Sequence, residues 1–212
     1  MTTKLATTAA TILGGIGLLT AFHVREAGPA FELVVATEGN TVRYRVEEQL
    51  VGVDLPGSAV GETNAVTGTI VIDSAGAVLP ASSKIVASVG GLRSDSERRD
   101  GYVSRRVLGT TQYPTVELVP SATRGFAGSL PASGTRTFTL IGDLTVRGVT
   151  RRTTWQVEAA FAGDRVTGRA STSFAFSDFE LTKPRVPVVL SVADTIRLEY
   201  DFTLLRRALP SP

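Results

Sequence analysis

Histidine and cysteine, the side chains that most often carry nucleophilic and metal chemistry, are almost missing from this sequence. The only imidazole belongs to His23, and the chain contains no cysteine. Thiol nucleophiles, disulfides and thiolate zinc sites are therefore excluded. A lone histidine near the N-terminus also rules out a Ser-His-Asp triad in the body of the chain and a metal site built from several histidines. We predict no catalytic residue and no metal ligand.

Carboxylates are the remaining candidates for acid–base chemistry. Those near the C-terminus, such as Glu199 and Asp201, alternate with apolar residues and are expected on the solvent face of a strand. The sequence has no G-x-S-x-G, Walker or dinucleotide-binding pattern. We therefore interpret the protein as a non-enzyme that needs no cofactor.

Charge gives no sign of a nucleic-acid partner. Lys and Arg number 22 and Asp and Glu 20, for a formal net charge of +2. The arginine pairs are scattered and mixed with acids, whereas nucleic-acid binders concentrate positive charge on one face or tail. These pairs are Arg98–Arg99, Arg105–Arg106, Arg151–Arg152 and Arg206–Arg207.

The elements that must position any site are β-strands, because apolar residues alternate with polar ones from Thr41 to Leu204. The last run is the clearest, with Ile196, Leu198 and Tyr200 on one face. About eight strands are predicted, separated by turn signals at Asp73–Gly76, Ser133-Gly134 and Gly163-Asp164. Their centres are Val42–Val46, Ile70–Ile72, Ser83–Val89, Val116–Leu118, Phe138–Val146, Trp155–Phe161, Val166–Phe176 and Ile196–Leu204.

Consecutive strands with short connections favour an all-β, antiparallel, eight-stranded, lipocalin-like barrel over residues 41–206, since closure removes exposed edges. Ser94 and Glu97 form a capping-box pattern that predicts a short helix over one barrel end, ending at Gly109. The segment Gly52–Ala65 is interpreted as a long loop at a barrel mouth.

Alternation directs many large side chains into the barrel, which at eight strands can be filled or can hold one small ligand. Gly68, Gly142 and Gly168 lie among them, and in a tunnel they would leave space for a chain-like ligand. Composition alone favours a filled core, because core aromatics far outnumber ligand-lining ones. Alternation does not choose between the two interpretations. The predicted ligand-binding residues are Tyr44, Phe138, Leu140, Phe161, Phe174, Phe176, Leu198, Tyr200 and Phe202.

The N-terminal segment predicts export. Residues Leu5–Phe22 carry no charge, follow Lys4 and suit either a signal peptide or a membrane anchor, here assigned to 1–28 as an apolar helix. Residues 29–40 are interpreted as a linker and 207–212 as a tail. The barrel is therefore expected outside the cytoplasm, in the periplasm, at the cell surface or secreted, and anchored to the membrane if the segment is not cleaved.

Several short motifs then resemble one family over about three quarters of the chain. The most specific is Gly142–Arg151, which reads GDLTVRGVTR. It follows Thr67–Asp73, Gly91–Asp95 with Arg99-Asp100, and Gln112–Thr115, and precedes Ser177–Phe179. The order and spacing of these motifs resemble the YceI-like, lipocalin-type barrel proteins of bacteria.

This resemblance implies an exported barrel that binds an isoprenoid or other lipid chain. We expect a polar or charged head at the mouth, near the helix and loops. The family usually has Arg two positions before the Asp of the last motif and Gly two positions after it, whereas this chain has Phe176 and Glu180. The alternative function is a structural or stress-related interaction module with a filled barrel. The sequence leaves a homodimer open.

Overall fold

Eleven β-strands and one short α-helix make up the computed structural model in the residues that it describes, 31–52, 55–125, 130–187 and 189–209. The helix, α1, spans Glu97–Tyr102 and continues as a π-helical segment, Val103–Leu108. The strands are β1 Phe31–Val35, β2 Thr41–Leu50, β3 Gly57–Thr63, β4 Val66–Ile72, β5 Lys84–Ser88, β6 Arg93–Ser94, β7 Thr115–Arg124, β8 Ser133–Val146, β9 Val149–Ala162, β10 Arg165–Ala175 and β11 Val189–Ala208.

The strands close into a barrel with eight antiparallel walls, as the sequence predicts. Three of the walls each consist of two strands. The first wall is β1 and β2, which both pair with β11. The second is β4, which pairs with β1, and β3, which pairs with β2; the third is β5, which pairs with β4, and β6, which pairs with β3. The walls β7 to β11 pair in sequence order. Closure comes from β1 and β11, where Phe31 lies opposite Ala208 and Val35 opposite Leu204.

The first wall is broken around Asn40, whose side chain is buried. Its amide group donates to the carbonyl of Ala36 at 2.8 Å, and its Oδ1 accepts from the backbone N–H of Thr203 at 3.1 Å and from the Tyr200 hydroxyl at 2.8 Å. Asn40 thus bonds both to its own wall and to β11, and a buried polar side chain with such partners stabilises the break between β1 and β2. Asn40 therefore keeps β1 and β2 on the same partner strand.

Two predicted boundaries differ from the structure. The predicted linker 29–40 contains β1, and β11 runs to Ala208, so the barrel extends beyond residues 41–206. The predicted loop Gly52–Ala65 contains β3, whose inward residues Ala59, Gly61 and Thr63 are small. Small inward residues give a weak hydrophobic alternation, which is why the pattern did not predict this strand.

Turns and helix caps also differ in detail. Ser133 and Gly134, predicted as a turn, begin β8 instead. The helix is capped by Ser96, whose hydroxyl accepts from the backbone N–H of Arg99, and not by Ser94. The Ser94 hydroxyl binds the Asp100 carboxylate at 2.6 Å. The helical segment does end at Gly109, in the left-handed conformation that favours glycine.

The described residues contain no helix with the length and apolar character needed to cross a membrane. The predicted N-terminal apolar helix within residues 1–28, with His23, lies outside the described residues. Its cleavage or anchoring therefore stays a prediction.

Candidate functional site

The interior of the barrel contains two apolar cavities and opens into a third at one end. The end cavity, of about 90 Å³, is lined by residues such as Leu33, Leu118 and Trp155. The middle cavity, of about 100 Å³, is lined by residues such as Val42, Val116 and Val146. Neither lining includes a charged side chain. Apolar cavities of this kind stay dry and accept apolar ligands.

All nine predicted ligand-binding residues line one of these two cavities. Five line the end cavity: Phe138, Leu140, Phe161, Tyr200 and Phe202. Four line the middle cavity: Tyr44, Phe174, Phe176 and Leu198. The structure therefore places the predicted set inside the barrel but divides it between two spaces. Contact with a ligand stays a prediction.

The two cavities follow each other along the barrel axis. On β11, Tyr200 lines the end cavity and Leu198, the next inward residue, lines the middle cavity. No residue in the described part of the chain lines both. Two buried residues lie at the level between the cavities. On β8, Leu144 lies between Leu140 of the end cavity and Val146 of the middle cavity, and on β10, Thr172 lies between Ala170 and Phe174 in the same way.

Glycine does not create the interior space, contrary to the sequence-based interpretation. A Cβ atom added at Gly168 would lie 2.1 Å from the backbone oxygen of Glu158, and one added at Gly68 would lie 2.1 Å from that of Lys84. Such distances are far below van der Waals contact. These glycines let neighbouring walls approach each other, and the cavities depend on the larger side chains around them.

The mouth cavity, of about 490 Å³, lies at the barrel end covered by α1. Apolar residues from β2 and β11 line one side, while Glu48, Arg98 and Arg99 bring charge to the lining. It shares Tyr44 and Val46 with the middle cavity. The mouth cavity is therefore the polar end of an otherwise apolar interior.

Arg99 attaches the helix to the barrel wall. Its guanidinium donates to the Glu48 carboxylate on β2 at 2.8 Å and also binds Asp95. The neighbouring Asp100 accepts from the backbone N–H of Ser94 at 2.8 Å. These contacts fix α1 over the mouth.

Tyr44 stands between the middle and mouth cavities. Its hydroxyl oxygen is buried and has no hydrogen-bond partner among the residues that the structure describes. Burial raises the pKa of Tyr44 to about 12; the charge of Arg99 lowers it and those of Asp100, Glu48 and Asp95 raise it. The hydroxyl is therefore protonated at neutral pH and is able to donate.

The other buried tyrosine is satisfied. The Tyr200 hydroxyl donates to Oδ1 of Asn40 at 2.8 Å, and burial raises its pKa as well. Buried polar groups in folded proteins nearly always have a partner. Tyr44 is thus an exception that a ligand would explain, whereas Tyr200 serves the kink in the first wall.

Charged groups on the outer surface connect neighbouring walls. Arg169 and Arg43 both bind Asp201, and the hydrogen bond from Arg169, ahead of that from Arg43, holds the pKa of Asp201 below its ordinary value although burial acts in the opposite direction. The described ranges contain no group of three or more His, Cys, Asp or Glu side chains able to hold a metal ion.

The most specific motif forms a hairpin. Arg147 and Gly148 connect β8 to β9 with positive φ angles of 51° and 78°. Asp143 lies opposite Arg152 across the hairpin, with 4.0 Å between their charged groups. The guanidinium of Arg147 donates to the backbone oxygen of Glu180 at 3.4 Å. The polar residues of the motif therefore stabilise the hairpin and its neighbours, while its apolar Val146 lines the middle cavity.

Sequence reasoning missed several residues of the site. Leu33 of β1 lines the end cavity, and Val103 and Val107 extend from the helical segment into the middle cavity. The four-residue spacing of these two valines was the available signal, because such a spacing places both on one helix face. Pro184, which lines the middle and mouth cavities, follows no periodic pattern.

Comparisons with known proteins agree with this fold. The sequence profile of the YceI-like domain matches residues 34–204. No curated protein sequence matches the chain.

Solved structures give the same fold at low sequence identity. BcnA of Burkholderia cenocepacia is similar at 17% identity and a TM-score of 0.58, covering 80% of this chain and 98% of that one. A polyisoprenoid binding domain from Saccharophagus degradans, implicated in plant cell wall breakdown, has 11% identity and a TM-score of 0.61, covering 83% and 98%. The YceI protein of Campylobacter jejuni has 14% identity and a TM-score of 0.52, covering 71% and 85%.

Proposed function

The chain belongs to the YceI-like domain family, and we propose that it is a binding protein, not an enzyme, that holds an isoprenoid or other lipid chain inside its barrel. The observation that carries this proposal is the pair of interior cavities whose linings have no charged side chain. Burying a hydrocarbon tail there contributes roughly 0.8 kcal/mol per CH₂ before the cost of association. The similar fold of a polyisoprenoid binding domain supports the same ligand class.

We assign ligand access to the mouth. The mouth cavity is the largest of the three and is continuous with the middle cavity through the residues that they share. Exposed Val51 and Leu190 directly follow Leu50 and Val189, which line it. An apolar chain would enter past these residues with its tail first, so that its head stays among the polar groups below α1.

The ligand-bearing barrel would act outside the cytoplasm as a carrier or a store. Support comes from the uncharged segment 5–22, which is typical of an export signal or a membrane anchor. An anchored form would keep the barrel beside the membrane from which a lipid is taken.

One observation favours the alternative, a structural or interaction module with a filled barrel. The end and middle cavities share no lining residue, so a long tail must displace the side chains at the level of Leu144 and Thr172 before it spans both. A short tail would fit the middle cavity alone. The alternative predicts that no apolar ligand enters either space.

The single tryptophan of the chain offers a direct test. Trp155 is buried, lines the end cavity and donates from Nε1 to the Thr153 hydroxyl at 2.9 Å. An isoprenoid chain with a bromine atom at the far end of its tail, long enough to reach the end cavity, should quench its fluorescence in a saturable way at one equivalent, while a water-soluble bromide without a tail should not. Equal quenching by both compounds, or none by either, would refute a tail that extends from the mouth into the end cavity.

A further inference from the structure

We propose that the Tyr44 hydroxyl is the hydrogen-bond donor for the head group of the ligand, and that this head is neutral, with a carbonyl, ether or alcohol oxygen, and not a phosphate. This inference rests on the proposed function, since it names the chemistry of a ligand whose tail lies in the apolar interior. It concerns one hydroxyl and the charges around it.

The position of Tyr44 suits a head group held at the junction of the tail and the solvent. The side chain lines the wholly uncharged middle cavity and also the mouth cavity with its charged residues. Its hydroxyl is buried and has no partner within the described part of the chain. An unmade hydrogen bond of this kind costs free energy, which a ligand oxygen at the same place would recover.

The ring of Tyr44 is held in place by its opposite neighbour. Gly61 pairs with Tyr44 across β2 and β3, and a Cβ atom at Gly61 would lie 2.4 Å from Cε1 of the ring. Only glycine allows the ring to lie against the wall in this way. The donor is therefore positioned before a ligand arrives, which reduces the entropy lost on binding.

The surrounding charges favour a neutral head. Four charged side chains act on the hydroxyl: Arg99, Asp100, Glu48 and Asp95. The guanidinium of Arg99 already binds Glu48 and Asp95, so its charge is balanced within the protein. A phosphate at Tyr44 would be repelled by the charges of Asp100, Glu48 and Asp95, and the one attractive charge, that of Arg99, is already balanced. A neutral oxygen meets no such repulsion.

Position 176 carries no positive charge in this chain. Phe176 is buried and lines the middle cavity at the position where the family usually has arginine. Among the described residues, no cation therefore lines the middle cavity. The exposed Arg98 lines the mouth cavity and not the middle cavity, and solvent screens its charge.

The test compares Tyr44→Phe with a control, Tyr113→Phe. Each variant loses one tyrosine hydroxyl, but Tyr44 lines the middle and mouth cavities, whereas Tyr113 lines none of the three. Binding is measured for three probes of equal tail length: a prenylated benzoquinone, a polyprenyl phosphate and a polyisoprene hydrocarbon. We expect Tyr44→Phe to weaken quinone binding about tenfold, as for the loss of one hydrogen bond, and to leave hydrocarbon binding unchanged. Tyr113→Phe should leave the affinity for all three probes unchanged.

The outcomes separate the two proposals. If the wild-type protein binds the hydrocarbon and Tyr44→Phe loses nothing for the quinone, the head-group assignment is overturned and the proposed function stands. A wild-type preference for the phosphate over the quinone overturns it as well. If none of the three probes binds, the proposed function fails and the head-group assignment fails with it.

Discussion

Replacing Phe174 with tryptophan should fill the middle cavity and displace the ligand tail. The Phe174 ring lines that cavity and packs edge-on against Phe179, with 4.5 Å between the ring centroids. Filling all of its roughly 100 Å³ would raise the free energy of unfolding by at most about 2.4 kcal/mol, at about 24 cal/mol per Å³. Displacing about three tail carbons would cost about 2.4 kcal/mol of binding, at roughly 0.8 kcal/mol for each. The dissociation constant should therefore rise by about sixtyfold.

Equilibrium binding of a short radiolabelled polyprenol, with urea unfolding of the apoprotein alongside, measures both effects. Phe31→Trp is the control, because Phe31 lines neither cavity and instead lies 4.0 Å below the Arg206 guanidinium. It should leave the affinity unchanged. If Phe174→Trp is as stable as the wild type and binds the polyprenol equally well, the tail does not occupy the middle cavity and the reasoning is refuted.

Three further predictions concern stability. Gly168→Ala should lower the free energy of unfolding in urea by about 1–3 kcal/mol, because its Cβ would lie 2.1 Å from the Glu158 oxygen. The control Gly57→Ala has open space around the new Cβ and should leave the free energy of unfolding unchanged. Equal effects of the two substitutions would contradict this prediction. Glu180→Gly should raise the melting temperature, since φ is 54° at this residue and glycine adopts that angle without strain, and a lower value would refute it. Stability should fall between pH 10 and pH 12, because burial raises the pKa of Tyr44 to about 12 while the unfolded side chain ionises near its ordinary value of 10.0. Tyr44→Phe should reduce that fall, and an unchanged slope would contradict the assignment.

The barrel could be predicted because the alternation of side chains is regular where strands are long. β9 alternates buried and exposed residues from Trp155 to Ala162, and in β10 Val166, Ala170 and Thr172 are buried on the same face. β3 could not be predicted, because its inward residues are Ala59, Gly61 and Thr63 and their size carries no hydrophobic signal. The structure explains the glycine at position 61, because the Tyr44 ring lies against it and leaves no room for a side chain.

The candidate site shows the same limit. Period-two alternation selected nine interior residues, and all nine line the two cavities. The separation of the cavities depends on how side chains from different walls meet, which alternation along one strand does not describe. The sequence also could not show which buried tyrosine hydroxyl has a hydrogen-bond partner. Tyr200 donates to Asn40, which is 160 positions away in the sequence, whereas the Tyr44 hydroxyl has no partner among the described residues.

The most direct test of ligand binding is native mass spectrometry of the full-length protein purified from a bacterial envelope without added lipid, followed by lipid extraction. Our account predicts one apolar chain-like molecule per barrel, with a neutral oxygen-bearing head, retained without detergent. An empty protein that also takes up neither isoprenoid quinones nor polyprenyl lipids when they are added would contradict it and favour the filled-barrel module.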